Sequence, residues 1–322
     1  MMYNFSALST ISSLMMCLSV NGFNVQSQNA LLKTDVRETL TEDSKHRVLV
    51  PQILTTLSLP SVIDVAQQRI GMPLSDSVHS GADLTFMPFW EQQIRYMNEH
   101  LNDLREIPVT DLDETIDFSI AENPVKGARI LNLCFSSKEF RKIRLTYYDA
   151  GLNTQVFNSL WYPAEEYNLP LLGIDLLKLA GGKKYLAVVD FQPIHDKEHE
   201  HAQPYEYLMK PIRREYPSLQ GQMSKRFYDE NQFFSREMLF SRFEDAAIIN
   251  RDLMPAFCQY IDTYLKLIKS TTPEYNPSTL NGHRAYDTYS ASRDPAIHMF
   301  NSMFGQEWAE KFVHEFLFDL SR

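Results

Sequence analysis

The feature that most constrains this chain is a series of five extended runs with hardly any sequence between them. Arg129 to Phe135, Ile143 to Asp149, Thr154 to Tyr162, Leu171 to Leu179 and Lys184 to Phe191 alternate in polarity or run apolar, as strands do. Ala150-Gly151, Tyr162-Pro163 and Gly181-Gly182 supply turn signals between them. Connectors this short cannot hold the helical crossover that a parallel pair requires, so the sheet is expected to be an antiparallel meander. Before it, Phe86, Phe89, Trp90, Ile94, Met97, Leu101 and Leu104 recur at helical spacing, which predicts an amphipathic helix over Leu84 to Leu104 with Pro88 in its first turn. After it, helices are expected at Tyr205 to Arg214, Leu253 to Lys269, His283 to Ser292 and Trp308 to Phe318. Helix, sheet, then helices in that order implies the α+β class, a sandwich with helices covering a central antiparallel sheet.

A length of 322 residues admits one large domain with an extension or two modest ones. With 44% hydrophobic and 12% aromatic residues there is ample material for a packed core, which excludes wholesale disorder. The first 29 residues carry no Lys, Arg, Asp or Glu, and Ala7 to Val20 forms an apolar run ending near Gly22. That resembles a signal-peptide core, although the usual positive flank is missing, and about 14 residues are too few to span a bilayer. A Ser, Thr and Gln-rich stretch without period follows to about residue 80. Residues 1–80 are therefore expected to be a targeting leader and linker, and residues 81–322 a single domain.

The net charge is −10. No basic surplus exists to displace counterions from phosphate, so general nucleic-acid binding is excluded. The charge is unevenly placed, with 7 basic and 16 acidic side chains in residues 1–122 but 18 and 16 in residues 123–251. The middle segment is where an acidic partner would dock. Cys17, Cys134 and Cys258 form no C-x-x-C pair and are too few for a disulfide framework or a four-thiolate cluster. There is no G-x-G-x-x-G, no P-loop and no G-x-S-x-G elbow. The run Ile194 to His201 sets His199 and His201 among carboxylates, yet it has no apolar period and reads as an acidic, hydrated loop, so no metal site is assigned.

The chemistry lies instead in polar groups within apolar strands. Period two places Asp175 on one face with Gly173, Leu177 and Leu179. A carboxyl among apolar groups has its pKa raised and can hold a proton near neutral pH, as a general acid must; an acid paired across strands would occupy the same position. Asp190 shares that ambiguity, and Asn158 is a third polar group in an apolar strand. Polar groups on adjacent strands suggest a polar-floored pocket in the sheet face.

Several blocks then become recognisable in order. They are Arg141-Lys142-Ile143-Arg144 through Asp149-Ala150-Gly151, Gln155 to Ser159, Leu169 to Leu176, Val189-Asp190-Phe191-Gln192-Pro193, Asn231-Gln232-Phe233-Phe234-Ser235, Arg293-Asp294-Pro295-Ala296 and His314 to Phe318. Over about residues 85–322 the chain resembles the ferredoxin-dependent bilin reductases. The resemblance implies one α/β/α sandwich with a linear tetrapyrrole between the sheet and the C-terminal helices. It also implies no bound redox cofactor, with electrons taken singly from reduced two-iron two-sulfur ferredoxin. By the same resemblance Asp175 is the sheet acid that protonates the bilin, and Asp294 is the acid on the helical side. Asn158 stands where the phycocyanobilin-forming members carry His, a departure from those that reduce the D-ring vinyl group. Phe157, Ser159 and Phe234 are candidate bilin contacts. For the propionates and for acidic ferredoxin the candidates are Lys138, Arg141, Lys142, Arg144, Arg236 and Arg242.

Within the family, Asp149-Ala150-Gly151 and the Asn231 to Ser235 block look most like members that reduce the 15,16 bridge of biliverdin IXα on the way to phycoerythrobilin. Members acting on the A-ring diene are the alternative, and a bilin carrier without turnover is disfavoured by the two acids. The leader then resembles the two-part leader of algae with red-algal plastids. That implies a plastid location, with ferredoxin, biliverdin and a following bilin reductase as partners.

Overall fold

The computed structural model describes residues 84–195, 198–221, 232–294 and 296–322, with the side chains of 198–204 left aside. The expected leader over residues 1–80 lies outside the described residues. Helix α1 (Met87–His100) starts with a proline in its first turn and buries Phe89, Trp90, Gln93, Ile94 and Met97, a stripe at helical spacing. The strands are β1 (Arg105–Glu106), β2 (Ile120–Asn123), β3 (Ala128–Ser136), β4 (Phe140–Asp149), β5 (Gln155–Pro163), β6 (Leu171–Leu179), β7 (Lys184–Gln192) and β8 (Leu239–Phe243). They form one sheet in the order β1-β3-β4-β5-β6-β7-β8, with β2 also on β3. Every pairing is antiparallel. The five expected strands are all present, within three residues of the expected ends.

Helices cover both faces. One face is packed by α1 and by α3 (Met254–Ser270), which a π-helical turn over Ile249–Leu253 precedes, with α2 (Glu198–Glu215) beside them. Phe89 meets Phe257 edge-on at 5.1 Å, and Trp90 meets Phe157 at 6.0 Å. The other face is packed by α4 (Pro277–Ala291), α5 (Ala296–Phe304), α6 (Gln306–Lys311) and a π-helical turn over Phe312–Leu317. Here Trp308 stacks on Phe312 at 4.4 Å, and Phe312 on Phe316 at 5.3 Å. Strands β3 to β7 are buried almost throughout, which explains why they run apolar where a one-sided sheet would alternate. Among the described residues no helix is long and apolar enough to cross a membrane.

The structure departs from expectation at the margins. Strand β1 has two residues and β2 is half-exposed, so neither carries a pattern. The short β8 and the nine-residue α5 were also not anticipated. The acidic run expected to be a loop becomes helix from Glu198 onward, because a helix once nucleated extends through polar residues that have no apolar period. The side chains of His199 and His201 are outside the described residues.

Helix α4 approaches the end of β7 closely. A Cβ on Gly282 would sit 2.4 Å from the Ile194 carbonyl oxygen. Alanine in a helix normally gains about 1 kcal/mol over glycine, but overpacking against fixed backbone costs roughly 1 to 3 kcal/mol. Gly282→Ala is therefore expected to lower the melting temperature by several degrees, as thermal unfolding would show.

Candidate active site

Three adjacent strands place Arg144, Asn158 and Asp175 on the face covered by α4. Register aligns Thr146 with Asn158, Asn158 with Asp175 and Asp175 with Val188, so one row of side chains crosses the sheet. A neighbouring row runs Cys134, Arg144, Leu160, Gly173, Asp190. Arg144 Nη1 donates to Asn158 Oδ1 at 2.6 Å. The Asn158 amide then donates to Asp175 Oδ1 at 3.3 Å and to the Ile174 carbonyl at 3.2 Å. That sequence leaves Asp175 Oδ2 buried with no hydrogen-bond partner among the described residues. These groups, with Leu160, Gly173, Val188, Gln192 and Tyr286, line a cleft.

Burial pushes the Asp175 pKa up to about 8, and the nearby charge of Asp294 adds to the rise. The Asn158 hydrogen bond and the Arg144 cation oppose it but do not win. A carboxyl in this state is protonated at neutral pH, with its unengaged oxygen available to give the proton away. Asp294 reaches the site from the segment after α4, where Oδ1 accepts the Ala296 amide at 2.9 Å and caps α5. It is buried, at 3% exposure. Phe318 closes the site beside Arg144, 5.5 Å from the guanidinium.

The remaining candidates separate by face and by exposure. Phe157 and Ser159 flank Asn158 in sequence, so their side chains point to the opposite layer, although Ser159 also borders the cleft. Phe157 packs on Trp90, while Ser159 Oγ accepts from Gln93 at 2.6 Å and donates to the Arg144 carbonyl at 2.9 Å. Phe234 is buried in the layer of the site. Asp190 accepts the Ser235 amide at 2.9 Å and the Ser235 hydroxyl as well. It anchors that loop, and burial raises its pKa to about 7.

Of the basic candidates, Lys138, Arg236 and Arg242 are exposed, with Arg242 stacked over Phe240 at 5.4 Å. Arg141, Lys142 and Arg144 are not surface groups. Arg141 and Lys142 bind Asp319 at 2.9 and 2.8 Å, and Arg141 also lies 3.8 Å from Asp287. The grouping of these three with a ferredoxin surface is therefore corrected: alternation along β4 turns Lys142 and Arg144 under the C-terminal segment, and Arg141 is held against its acids. Gln192 and Tyr286 were missed as site residues. Gln192 could have been found, since it shares a strand face with Asp190, whereas the helical partner carries no sequence signal of its own. Among the described residues no group of three or more His, Cys, Asp or Glu side chains is arranged to hold a metal.

Comparison with known proteins agrees with this architecture. The family described as "Ferredoxin-dependent bilin reductase" matches residues 88–319. A 15,16-dihydrobiliverdin:ferredoxin oxidoreductase from Gloeobacter violaceus is 38% identical over 238 residues, 73% of this chain and 95% of the relative. One of the same name from Nostoc punctiforme is 40% identical over 208 residues, 63% of this chain and 84% of the relative. The crystal structure of tomato phytochromobilin synthase in complex with biliverdin superposes with a TM-score of 0.58 at 18% identity, covering 73% of this chain and 83% of that one. That likeness supports the fold. With the match spanning most of the chain, the protein belongs to the ferredoxin-dependent bilin reductases, oxidoreductases that draw their electrons from ferredoxin.

Proposed function

We propose that this chain reduces biliverdin IXα at the 15,16 bridge to 15,16-dihydrobiliverdin, with Asp175 as the proton donor on the sheet side. The observation that carries the reading is the Asp175 carboxyl at the cleft, its pKa raised by burial, with one oxygen fixed by Asn158 and the other buried without a hydrogen-bond partner among the described residues. The choice of bond is supported by the names of the relatives from Gloeobacter violaceus and Nostoc punctiforme. The reaction adds two electrons, one at a time from reduced ferredoxin, and two protons. C15 of the bridge and C16 of the terminal ring each gain one hydrogen, and the reaction passes through a one-electron bilin radical. Asp175 gives a proton from the sheet side and Asp294 from the helical side. Arg144, through Asn158, orients the Asp175 carboxyl. The leader-like pattern of residues 1–80 supports a plastid location, where a following bilin reductase would receive the product.

The direct test is an anaerobic assay of residues 80–322 with biliverdin and a reduced-ferredoxin supply, with chromatographic identification of products. Accumulation of 15,16-dihydrobiliverdin is expected. Consumption of supplied 15,16-dihydrobiliverdin with biliverdin left untouched would overturn the reading in favour of A-ring reduction.

The raised pKa makes a paired prediction for stability and turnover. Folded Asp175 keeps a proton that the unfolded chain releases between pH 3.8 and about 8, so stability falls as pH rises through that window. Asp175→Asn removes the buried charge. At pH 8 it is expected to raise the melting temperature by a few degrees, a gain that vanishes near pH 4, while the product yield falls at least about 100-fold. In the unsubstituted enzyme the rate is expected to decline above pH about 8, as Asp175 ionises. Calorimetry across pH, together with a pH–rate profile, checks both.

The exposed basic groups make a separate prediction. Charge reversal at Lys138, Arg236 and Arg242 is expected to raise the ferredoxin KM several-fold at low salt, with the difference shrinking as salt is added. Lys142→Glu is expected to destabilise the fold instead, because it sets a buried acid against the half-buried Asp319. Steady-state kinetics at two ionic strengths and thermal melts distinguish the two classes.

A further inference from the structure

The cleft holds a polar pair beside Asp175 that the proton chemistry does not use. Gln192 ends β7 on the same face as the site and is 2% exposed. Its amide lies over Gly173, so close that a Cβ there would be 2.6 Å from Gln192 Oε1 and 3.0 Å from Nε2. Gly173 is two residues from Asp175 on the same face of β6. The absence of a side chain at Gly173 is therefore what lets the Gln192 amide lie beside the acid.

Tyr286 determines which end of that amide faces where. Its hydroxyl donates to Gln192 Oε1 at 2.8 Å, and a hydrogen bond with the Ser290 side chain also reaches the phenol. Burial holds the phenol well above its ordinary pKa, so it remains a donor at any working pH. With Oε1 engaged, the Nε2 hydrogens are the part of the amide left to serve the cleft. No hydrogen bond to Nε2 is present among the described residues. A donor next to a general acid suits a ligand that offers a carbonyl oxygen close to the atom being protonated.

We infer that Gln192 is a substrate-orienting residue whose Nε2 donates to the lactam carbonyl of a terminal bilin ring, with Tyr286 and Gly173 as the positioning residues that aim it. The inference rests on the bilin substrate proposed above. A lactam carbonyl lies on the ring joined to a reducible bridge, so fixing its oxygen beside Asp175 fixes which carbon meets the proton. Gln192 thus contributes to the choice of bond, while Asp175 contributes the proton.

The test compares the unsubstituted chain with Gln192→Glu, Gln192→Leu and Tyr286→Phe. Biliverdin IXα binding is followed by absorption titration, and kcat, KM and product identity are measured under anaerobic turnover. Gln192→Glu keeps the volume and the acceptor for Tyr286 but exchanges the two amide donors for at most one acid proton, lost on ionisation, so titrations on both sides of pH 8 decide the matter even if Gln192→Leu fails to fold. Expected results are a three- to tenfold weaker biliverdin Kd for Gln192→Glu, a shifted visible band of the bound bilin, and more than one reduced product. Tyr286→Phe frees the amide to rotate, and is expected to keep most of the affinity but to lose product uniformity. Unchanged Kd, spectrum and single product in Gln192→Glu would overturn the assignment. If the unsubstituted chain itself neither binds nor reduces biliverdin, it is the functional reading that fails.

Discussion

A sheet buried on both faces has nowhere to hide a polar side chain except against another one, and this constraint organises the molecule. Strands β3 to β7 bury Arg129, Lys142, Arg144, Asp149, Asn158, Ser159, Asp175, Asp190 and Gln192. Unpaired, each would cost several kcal/mol, more for the charged ones. The structure answers nearly every case with a named partner. Arg129 pairs with Asp149 at 3.0 Å, Lys142 with Asp319, Ser159 with Gln93, Asp190 with Ser235 and Gln192 with Tyr286. In most of these the partner comes from a covering helix or loop, so the pairs also fasten the helical layers to the sheet. Asp175 departs from the pattern. Among the described residues only one of its oxygens is engaged, and burial favours its neutral form. Stability and chemistry therefore draw on one rule, followed at most positions and suspended at the site.

The same rule explains how much was legible in the sequence. The five long strands were readable because their connectors are short, a local property. The order of helices around them was readable because amphipathic spacing is also local. Asp175 and Asn158 stood out as polar interruptions of apolar strands, and period two placed Asp175 correctly with Gly173 and Leu177. The same periodicity, applied to β5, would have set Phe157 and Ser159 on the far face. Grouping them with Asn158 followed the contiguity of a motif where alternation should have ruled. Arg141 and Lys142 looked like surface charges because their partners are remote in sequence: Asp319 follows Lys142 by 177 residues. Burial of a cation is decided by a long-range partner, which no window of sequence displays. The short edge strands and the nine-residue α5 were missed because they are too brief to show a period.

The attachment of Asp319 and Leu320 has a consequence for the order in which this molecule is built. Asp319 supplies the counter-charge for Arg141 and Lys142, and the Leu320 amide donates to Asp287 at 3.0 Å. Strand β4 lies in the middle of the meander and contacts its neighbours through local hairpins, so the sheet can pair early. Its site face cannot dehydrate at that stage, because two cations there still lack their acids. Closing a loop of that length carries an entropic cost, so the drying of the catalytic face waits on the docking of the C-terminal segment. A chain caught before that step would have a formed sheet, a hydrated Asp175 with an ordinary carboxyl pKa, and no capacity to donate a proton at neutral pH.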